Sequence, residues 1–316
     1  MLNKQLTIEL ARVTEAAAIA AAKLRGRGDE RAADEVAVKA MRDALNKINM
    51  NGTVVIGEGS KEETELLYVG EQVGTGKGDP IDVALDPLEG NTLTAKFRLN
   101  ALSVIAVADG GSLLHVPDCY MDKIAVGGDL PEGVVDLDNP PAENLKNLAE
   151  VKGVAVSDLT VCILDRPRHG SLIGKVRDTG AAINLIPDGD IAGVIHAANT
   201  DNTGIDIYMG SGGAPEGVLA AAALRCIGGQ MQGRLILQTP QDKARAHDIG
   251  LEDPYRKFTI DDMASADVIF AATGVTDGSL LKGIRLGARR ITTDTLVMRS
   301  ASGSVRWIKN QRRRGS

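Results

Sequence analysis

Asp86 and Glu89 stand three residues apart in DVALDPLEG, the stretch from Asp82 to Gly90. Ile81, Val83 and Leu85 alternate ahead of them, the period of a half-buried strand. The strand is expected to end on the two carboxylates, in a turn stiffened by Pro87 and freed by Gly90. Hard oxygen donors held in a rigid turn suit a divalent cation such as Mg2+. Glu58 lies in Gly57-Glu58-Gly59, just past the strand-like TVVIGEG, where the flanking glycines admit close approach by other groups. Asp34 and Glu216 sit at the starts of helical patterns. A lone surface carboxylate is usually just solvated. Several brought together would repel one another and raise their pKa values unless cations joined them.

Three further segments have anion or hydroxyl chemistry. GSGGAPEG (210–217) is a glycine-rich loop running into Pro215 and an alanine-rich helix, a cradle of N–H groups at the positive end of a helix. It matches neither the dinucleotide fingerprint nor the P-loop, and GTGKGD (74–79) also fails the P-loop spacing. RPRH (166–169) follows a strand pattern and sets two guanidinium forks on either side of a proline, suited to phosphate or to plain surface salt bridges. PDGD (187–190) places two acids at another strand end, for sugar hydroxyls or for a polar turn. His115, His196 and His247 have no ligand spacing and read as structural or exposed.

These groups need a scaffold, and the sequence outlines one. Residues 4–25 carry Leu10, Val13, Ala17, Ala20 and Leu24 at helical spacing, and a second helix follows with Ala37, Met41, Ala44, Leu45 and Ile48 as its buried stripe. ALSVIAVAD and GSLLHVPD are expected to form a hairpin around Gly110-Gly111. From residue 160 onward strand and helix patterns alternate, so the class is α/β, mixed with α+β. The prolines of 128–144 mark a lobe boundary, giving an N-terminal metal-binding lobe (1–150) and a C-terminal sugar-phosphate lobe (151–316). The basic tail KNQRRRGS is expected to be solvated or frayed.

Composition narrows the function. The 316 residues are 43% hydrophobic with three Phe, four Tyr and one Trp, so the core must be aliphatic. A net charge of -6 opposes nonspecific binding to nucleic acid or anionic membranes. Three scattered cysteines without a C-x-x-C suggest neither zinc nor disulfides and fit a reducing cytoplasm. No secretory signal pattern and no stretch of about 20 apolar residues is seen.

Taken in order, AAD, VIGEG, DPLEG, NALSVIAV, PDCYMDK, RPRH, IPDGD, GGAPEGV, FAATGVT and TTDTLVMRS run over nearly the whole chain. The chain thereby resembles the class II, GlpX-type fructose-1,6-bisphosphatases of the lithium-sensitive, metal-dependent phosphatase superfamily. The resemblance implies a layered αβαβα fold, a homodimer or homotetramer, and Mg2+ or Mn2+ as cofactor. The implied reaction is hydrolysis of the 1-phosphate of fructose 1,6-bisphosphate. It implies Asp34, Glu58, Asp86, Glu89 and Glu216 as metal ligands. Tyr120, Arg166, Arg168, Asp188, Asp190, Gly213 and Gly90 would contact the sugar bisphosphate.

Three places depart from the family pattern. Asn91 stands where the family has a Thr or Ser that helps activate the attacking water, and Thr92 carries the nearest hydroxyl; Asn91, Thr92, Glu58 and Asp86 are therefore the expected catalytic set. Glu30 stands where GRGDK supplies a lysine. GEGSKEETELLYVG replaces a more acidic segment after Glu58. These departures leave two other readings open: a phosphatase for sedoheptulose 1,7-bisphosphate or another sugar phosphate, and a catalytically impaired sugar-phosphate-binding regulatory paralogue.

Overall fold

The computed structural model describes residues 2–314 and divides into two compact units, residues 2–114 with 265–314, and residues 115–264. The division drawn at residue 150 thus falls inside the second unit, within a helix. The proline-rich stretch before it is a connection inside that unit, with Asn144 tying it down by accepting from the Asp136 N–H and donating to the Asp136 carbonyl.

The first unit contains helices α1 (Leu6–Ala22), α2 (Glu30–Leu45) and α3 (Asn91–Ala95), and strands β1 (Asn51–Ile56), β2 (Gln72–Val73), β3 (Pro80–Glu89) and β4 (Leu102–Asp109). The chain returns to it as β11 (Val268–Gly274), β12 (Arg285–Leu286), β13 (Arg290–Arg299) and β14 (Ser304–Arg313). Among the described residues these form one eight-stranded sheet in the order β12-β13-β11-β4-β3-β1-β2, with β14 also pairing β13. Leu10, Val13 and Ala17 of α1 and Ala37, Met41 and Leu45 of α2 join the buried faces of β3, β11 and β13 in one core. That core is aliphatic, as the scarcity of aromatics requires. A polar seam crosses it. Thr14, Thr273 and Thr295 form a hydroxyl chain at 2.7 and 2.8 Å, and buried Glu15 accepts from the Thr293 hydroxyl at 2.6 Å.

The second unit contains strands β5 (Tyr120–Val126), β6 (Thr160–Leu164), β7 (Ala182–Ile186), β8 (Ile207–Gly213), β9 (Gln230–Ile236) and β10 (Phe258–Thr259). Its helices are α4 (Pro141–Lys152), α5 (Gly170–Arg177), α6 (Asp190–Ala197), α7 (Thr200–Thr203), α8 (Ala214–Ile227), α9 (Pro240–Asp248) and α10 (Ile260–Met263). The six-stranded sheet has the order β10-β9-β5-β8-β6-β7. β6, β7 and β8 are parallel, whereas β5 runs antiparallel to β8 and to β9. It has its own core, built on Ile124, Leu145, Leu148, Val161, Ile163 and Ile207.

One expectation fails locally and another holds only in part. Residues 112–118 do not pair back on β4, because β3 and β11 already occupy both of its edges. The Ser112 and Leu113 N–H groups go instead to the buried Asp82 carboxylate, at 2.8 and 3.0 Å. The basic tail is not frayed through its length: β14 pairs with β13 from Ser304 to Arg313, and residues 315–316 lie outside the described residues. Among the described residues, no helix is long and apolar enough to cross a membrane.

Candidate active site

In the first unit, the chemistry gathers at the end of β3. The strand continues through Pro87 rather than stopping at Asp86. Asp86 stands opposite Val104 and Glu89 opposite Leu102, so three steps on β3 match two on β4. That extra residue is a bulge, and Pro87, lacking an N–H, sits where the ladder is broken. Asp86 Oδ1 accepts from the Leu88 N–H at 3.0 Å, which fixes the turn. Glu89 is buried. Gly90 takes φ 91°, and a Cβ there would come within 2.9 Å of Leu93. It is both the left-handed hinge and the cap of α3, and it places Asn91 and Thr92 in that helix's first turn.

Asn91 makes the contact that matters most. Its side-chain amide hydrogen-bonds Asp34, on the second turn of α2. The amide must donate to the carboxylate, which leaves Asn91 Oδ1 buried without a hydrogen-bond partner. Burial still holds the Asp34 carboxyl above its ordinary range, because it outweighs this hydrogen bond. Glu58 is pushed up to about 8 by burial, with the charge of Asp34 adding to the rise. Gly57 is indispensable beside it, since a Cβ would lie 2.1 Å from the Leu67 carbonyl oxygen. Asp34 and Glu58 therefore repel each other across a poorly solvated space, with the Asn91 amide donating to Asp34. Among the described residues no three His, Cys, Asp or Glu side chains converge as a ready-made metal centre. Asp34 and Glu58 are nonetheless a pair of hard oxygen donors whose mutual repulsion a hard cation would relieve.

In the second unit, the expected substrate residues collect at one end of the sheet. Arg166 and Arg168 follow β6, Asp188 and Asp190 follow β7, Gly213 ends β8 and Glu216 follows it, all at C-terminal ends of parallel strands. Tyr120 opens antiparallel β5 opposite Gly213, at the same end. This is the edge where ligands of open α/β sheets characteristically bind. Arg168 packs over the Tyr120 ring at 4.7 Å and donates to the Ser211 carbonyl at 2.7 Å. Arg166 lies 3.4 Å from Asp188.

Asp190 is less available than the sequence suggests. It is buried and accepts from the fully buried Lys123 ammonium at 2.5 Å. Gly212 makes this possible, because a Cβ would meet Asp190 Oδ2 at 2.0 Å. Glu216 is raised above its ordinary range by burial and then by the nearby Asp190 charge, against the opposing pull of Lys123. Its Oε2 has no hydrogen-bond partner and lies where a Gly213 Cβ would be, at 1.8 Å.

Two participants escaped the sequence reading. Lys123 is the cation of this cluster; its signal is a lysine directly ahead of the apolar run Ile124–Val126 in β5. His169 is buried and accepts from the Ser211 N–H at 2.8 Å through Nε2, so Nδ1 donates to the Leu164 carbonyl at 2.8 Å. That fixes a neutral ring, in keeping with the fall in its pKa caused mainly by burial. The ring pins the Arg-bearing turn to β8, and nothing local in RPRH signals which strand it meets.

Comparison with known proteins identifies the family of the chain. The family model described as "Bacterial fructose-1,6-bisphosphatase, glpX-encoded" matches residues 4–312. The chain is 44% identical to "Fructose-1,6-bisphosphatase 1 class 2" of Escherichia coli strain K12, covering 98% of this chain and 95% of that protein. "Fructose-1,6-bisphosphatase class 2" of Shigella flexneri is 44% identical over the same shares of the two chains. A match of this length and identity shows that the chain belongs to the glpX-encoded bacterial fructose-1,6-bisphosphatase family.

Proposed function

We propose that this protein hydrolyses the 1-phosphate of fructose 1,6-bisphosphate to fructose 6-phosphate and phosphate, with Mg2+ or Mn2+ as cofactor. The full-length match to proteins named for fructose-1,6-bisphosphatase carries the reading. Asp34, Glu58, Asp86 and Glu89 of the first unit would hold the cation. Their support is the raised pKa of Asp34 and Glu58, a repulsion that a positive charge would relieve. Glu216, in the second unit, has the same need, since burial and Asp190 both oppose its charge. When bound, a divalent ion supplies charge neutralisation on the phosphate and acidifies a water molecule.

The chain's own residues supply the rest. Arg166, Arg168 and Tyr120 offer planar donors and a ring beside the sheet edge for a phosphate group. Gly213 keeps the backbone open to close approach there, and Gly90 does so beside Asp86. Asp188 and Asp190 accept sugar hydroxyls, Asp190 while held by Lys123. Asn91 Oδ1 accepts a hydrogen bond from the attacking water and orients it, while Nδ2 stays on Asp34. An amide cannot pass a proton onward, so the proton must go to a carboxylate, with Thr92 the nearest hydroxyl in sequence. Glu58, the carboxylate that faces Asp34, is assigned that role.

Phosphate release from fructose 1,6-bisphosphate, measured with Mn2+, Mg2+ or EDTA, tests the proposal. Metal-dependent release is expected. Folded protein that binds the sugar bisphosphate without turnover would instead support a regulatory sugar-phosphate binder, the reading favoured by Asn91 and by Glu30 at the start of α2. A panel including sedoheptulose 1,7-bisphosphate ranks the substrates. A homodimer or homotetramer in the cytoplasm is the accompanying expectation, checked by light scattering and fractionation; the three cysteines, scattered through the chain, are compatible with a reducing compartment.

A further inference from the structure

We propose that the first unit carries a second anion site, a pocket beside the start of α1 that binds phosphate, either free or as a small phosphate monoester. The pocket has a volume of about 550 Å³ and is lined by Lys4, Thr7, Arg299, Ser302 and Arg306, with Ile8 and Ala301 as its apolar wall. Three of these are cations and two are hydroxyls, and no carboxylate lines it. The charge is local, because the chain as a whole has a net charge of -6.

Arg299 distinguishes the pocket from an ordinary basic surface. It is only 5% exposed, and its guanidinium is held by the Leu2 carbonyl at 2.7 Å and by Asp267 Oδ2 at 3.0 Å, both through Nη2. Its Nε is buried without a hydrogen-bond partner. Arg299 lines the pocket, and a guanidinium held this firmly from behind presents a fixed positive charge to it. Asp267 offsets one positive charge but is itself shared with the Ser300 hydroxyl and the Ala301 N–H. Lys4 and Arg306 are exposed and flank the opening, and the positive end of the α1 dipole adds to the field. A tetrahedral dianion would find charge from Lys4 and Arg306 and hydroxyl donors from Thr7 and Ser302, with Arg299 beneath.

The pocket is separate from the carboxylates of the same unit. Arg299 pairs across β11 and β4 to the level of Val83 on β3, whereas Glu89 lies at the other end of that strand. The separation along the strand direction alone is roughly 20 Å. The inference is independent of the bisphosphatase reading and survives its failure.

Equilibrium dialysis with radiolabelled inorganic phosphate, at ionic strength fixed with chloride, tests it by counting sites per chain. Lys4→Glu/Arg306→Glu changes two exposed side chains and should leave the circular-dichroism spectrum and phosphate release intact. It is expected to weaken one class of bound phosphate at least tenfold, the loss of charge-assisted hydrogen bonds. Arg166→Glu/Arg168→Glu should remove a different class and leave this one. Labelled glycerol phosphate in a parallel series shows whether a monoester fills the same site; binding of either anion that Lys4→Glu/Arg306→Glu abolishes supports the proposal. Unchanged binding of both anions in Lys4→Glu/Arg306→Glu, or equal occupancy by chloride, overturns it.

Discussion

Asn91 is the residue on which the chemistry turns. Its amide satisfies Asp34 and leaves an acceptor oxygen in the site, where a hydroxyl could both accept and donate. Proton-handling groups contribute about 100-fold to 10,000-fold when well placed. Asn91→Thr is therefore expected to raise kcat by roughly tenfold or more with KM little changed. An unaltered kcat in a variant that still binds substrate would mean that the water is activated elsewhere. Glu58 supports a prediction that needs no turnover. Burial and Asp34 raise it from 4.5 to about 8, so between those pH values the folded protein binds a proton that the unfolded chain has released. Stability must then fall as pH rises through that window. In EDTA, Glu58→Gln should melt higher than the parent at pH 8 to 9, with the gap closing toward pH 4. A lower melting temperature at pH 9 would contradict the assignment. The sequence displayed the acids but not their environment. Asp34, Glu58, Asp86 and Glu89 were visible as carboxylates at element ends, while the coupling of Asp34 to Asn91, and of Asp190 to Lys123, depends on contacts between segments far apart in the chain.

At the scale of elements, alternation and helical spacing located β3, α1, β6 to β8 and α8, because each pattern reflects a face buried against a continuous core. The expected hairpin at 112–118 failed for a different reason. Its alternation was real, yet a strand needs a free edge, and β4 has none. The tail was half legible. Its arginines are exposed, as their charge suggests, but β13 offered an edge, so the segment pairs as β14, with Asn310 turned toward Glu15. The Lys123–Asp190 pair shows what such cross-element links contribute: it ties β5 to the start of α6 in the buried interior of the second unit. Breaking a buried pair from one side costs about 3–5 kcal/mol. Lys123→Met should lower Tm by about 10 °C, because it strands Asp190 beside Glu216. Adding Asp190→Asn should recover part of that loss. If the double variant melts no higher than Lys123→Met, the pair is not the source of the stability.

Across the whole molecule, the order of the chain decides what can fold alone. Residues 115–264 are continuous and enclose a complete six-stranded sheet with its own aliphatic core. The first unit is interrupted: its sheet takes β11, β13 and β14 from the return of the chain after residue 264. Without them, β4 loses its β11 partner, and α1 loses the floor formed by Ile269, Ala271 and Val297. A strand stripped of one neighbour exposes a row of unpaired N–H and C=O groups, and α1 would expose an apolar face. A fragment of residues 115–264 should therefore melt cooperatively and show dispersed amide resonances, whereas a fragment of residues 1–114 should be unfolded or aggregated. Adding a separate peptide of residues 265–316 to the latter should restore structure, since it supplies the missing strands. Cooperative melting of 1–114 by itself would show that local helix and β1–β4 contacts suffice, and that the returning strands merely cover a core already formed.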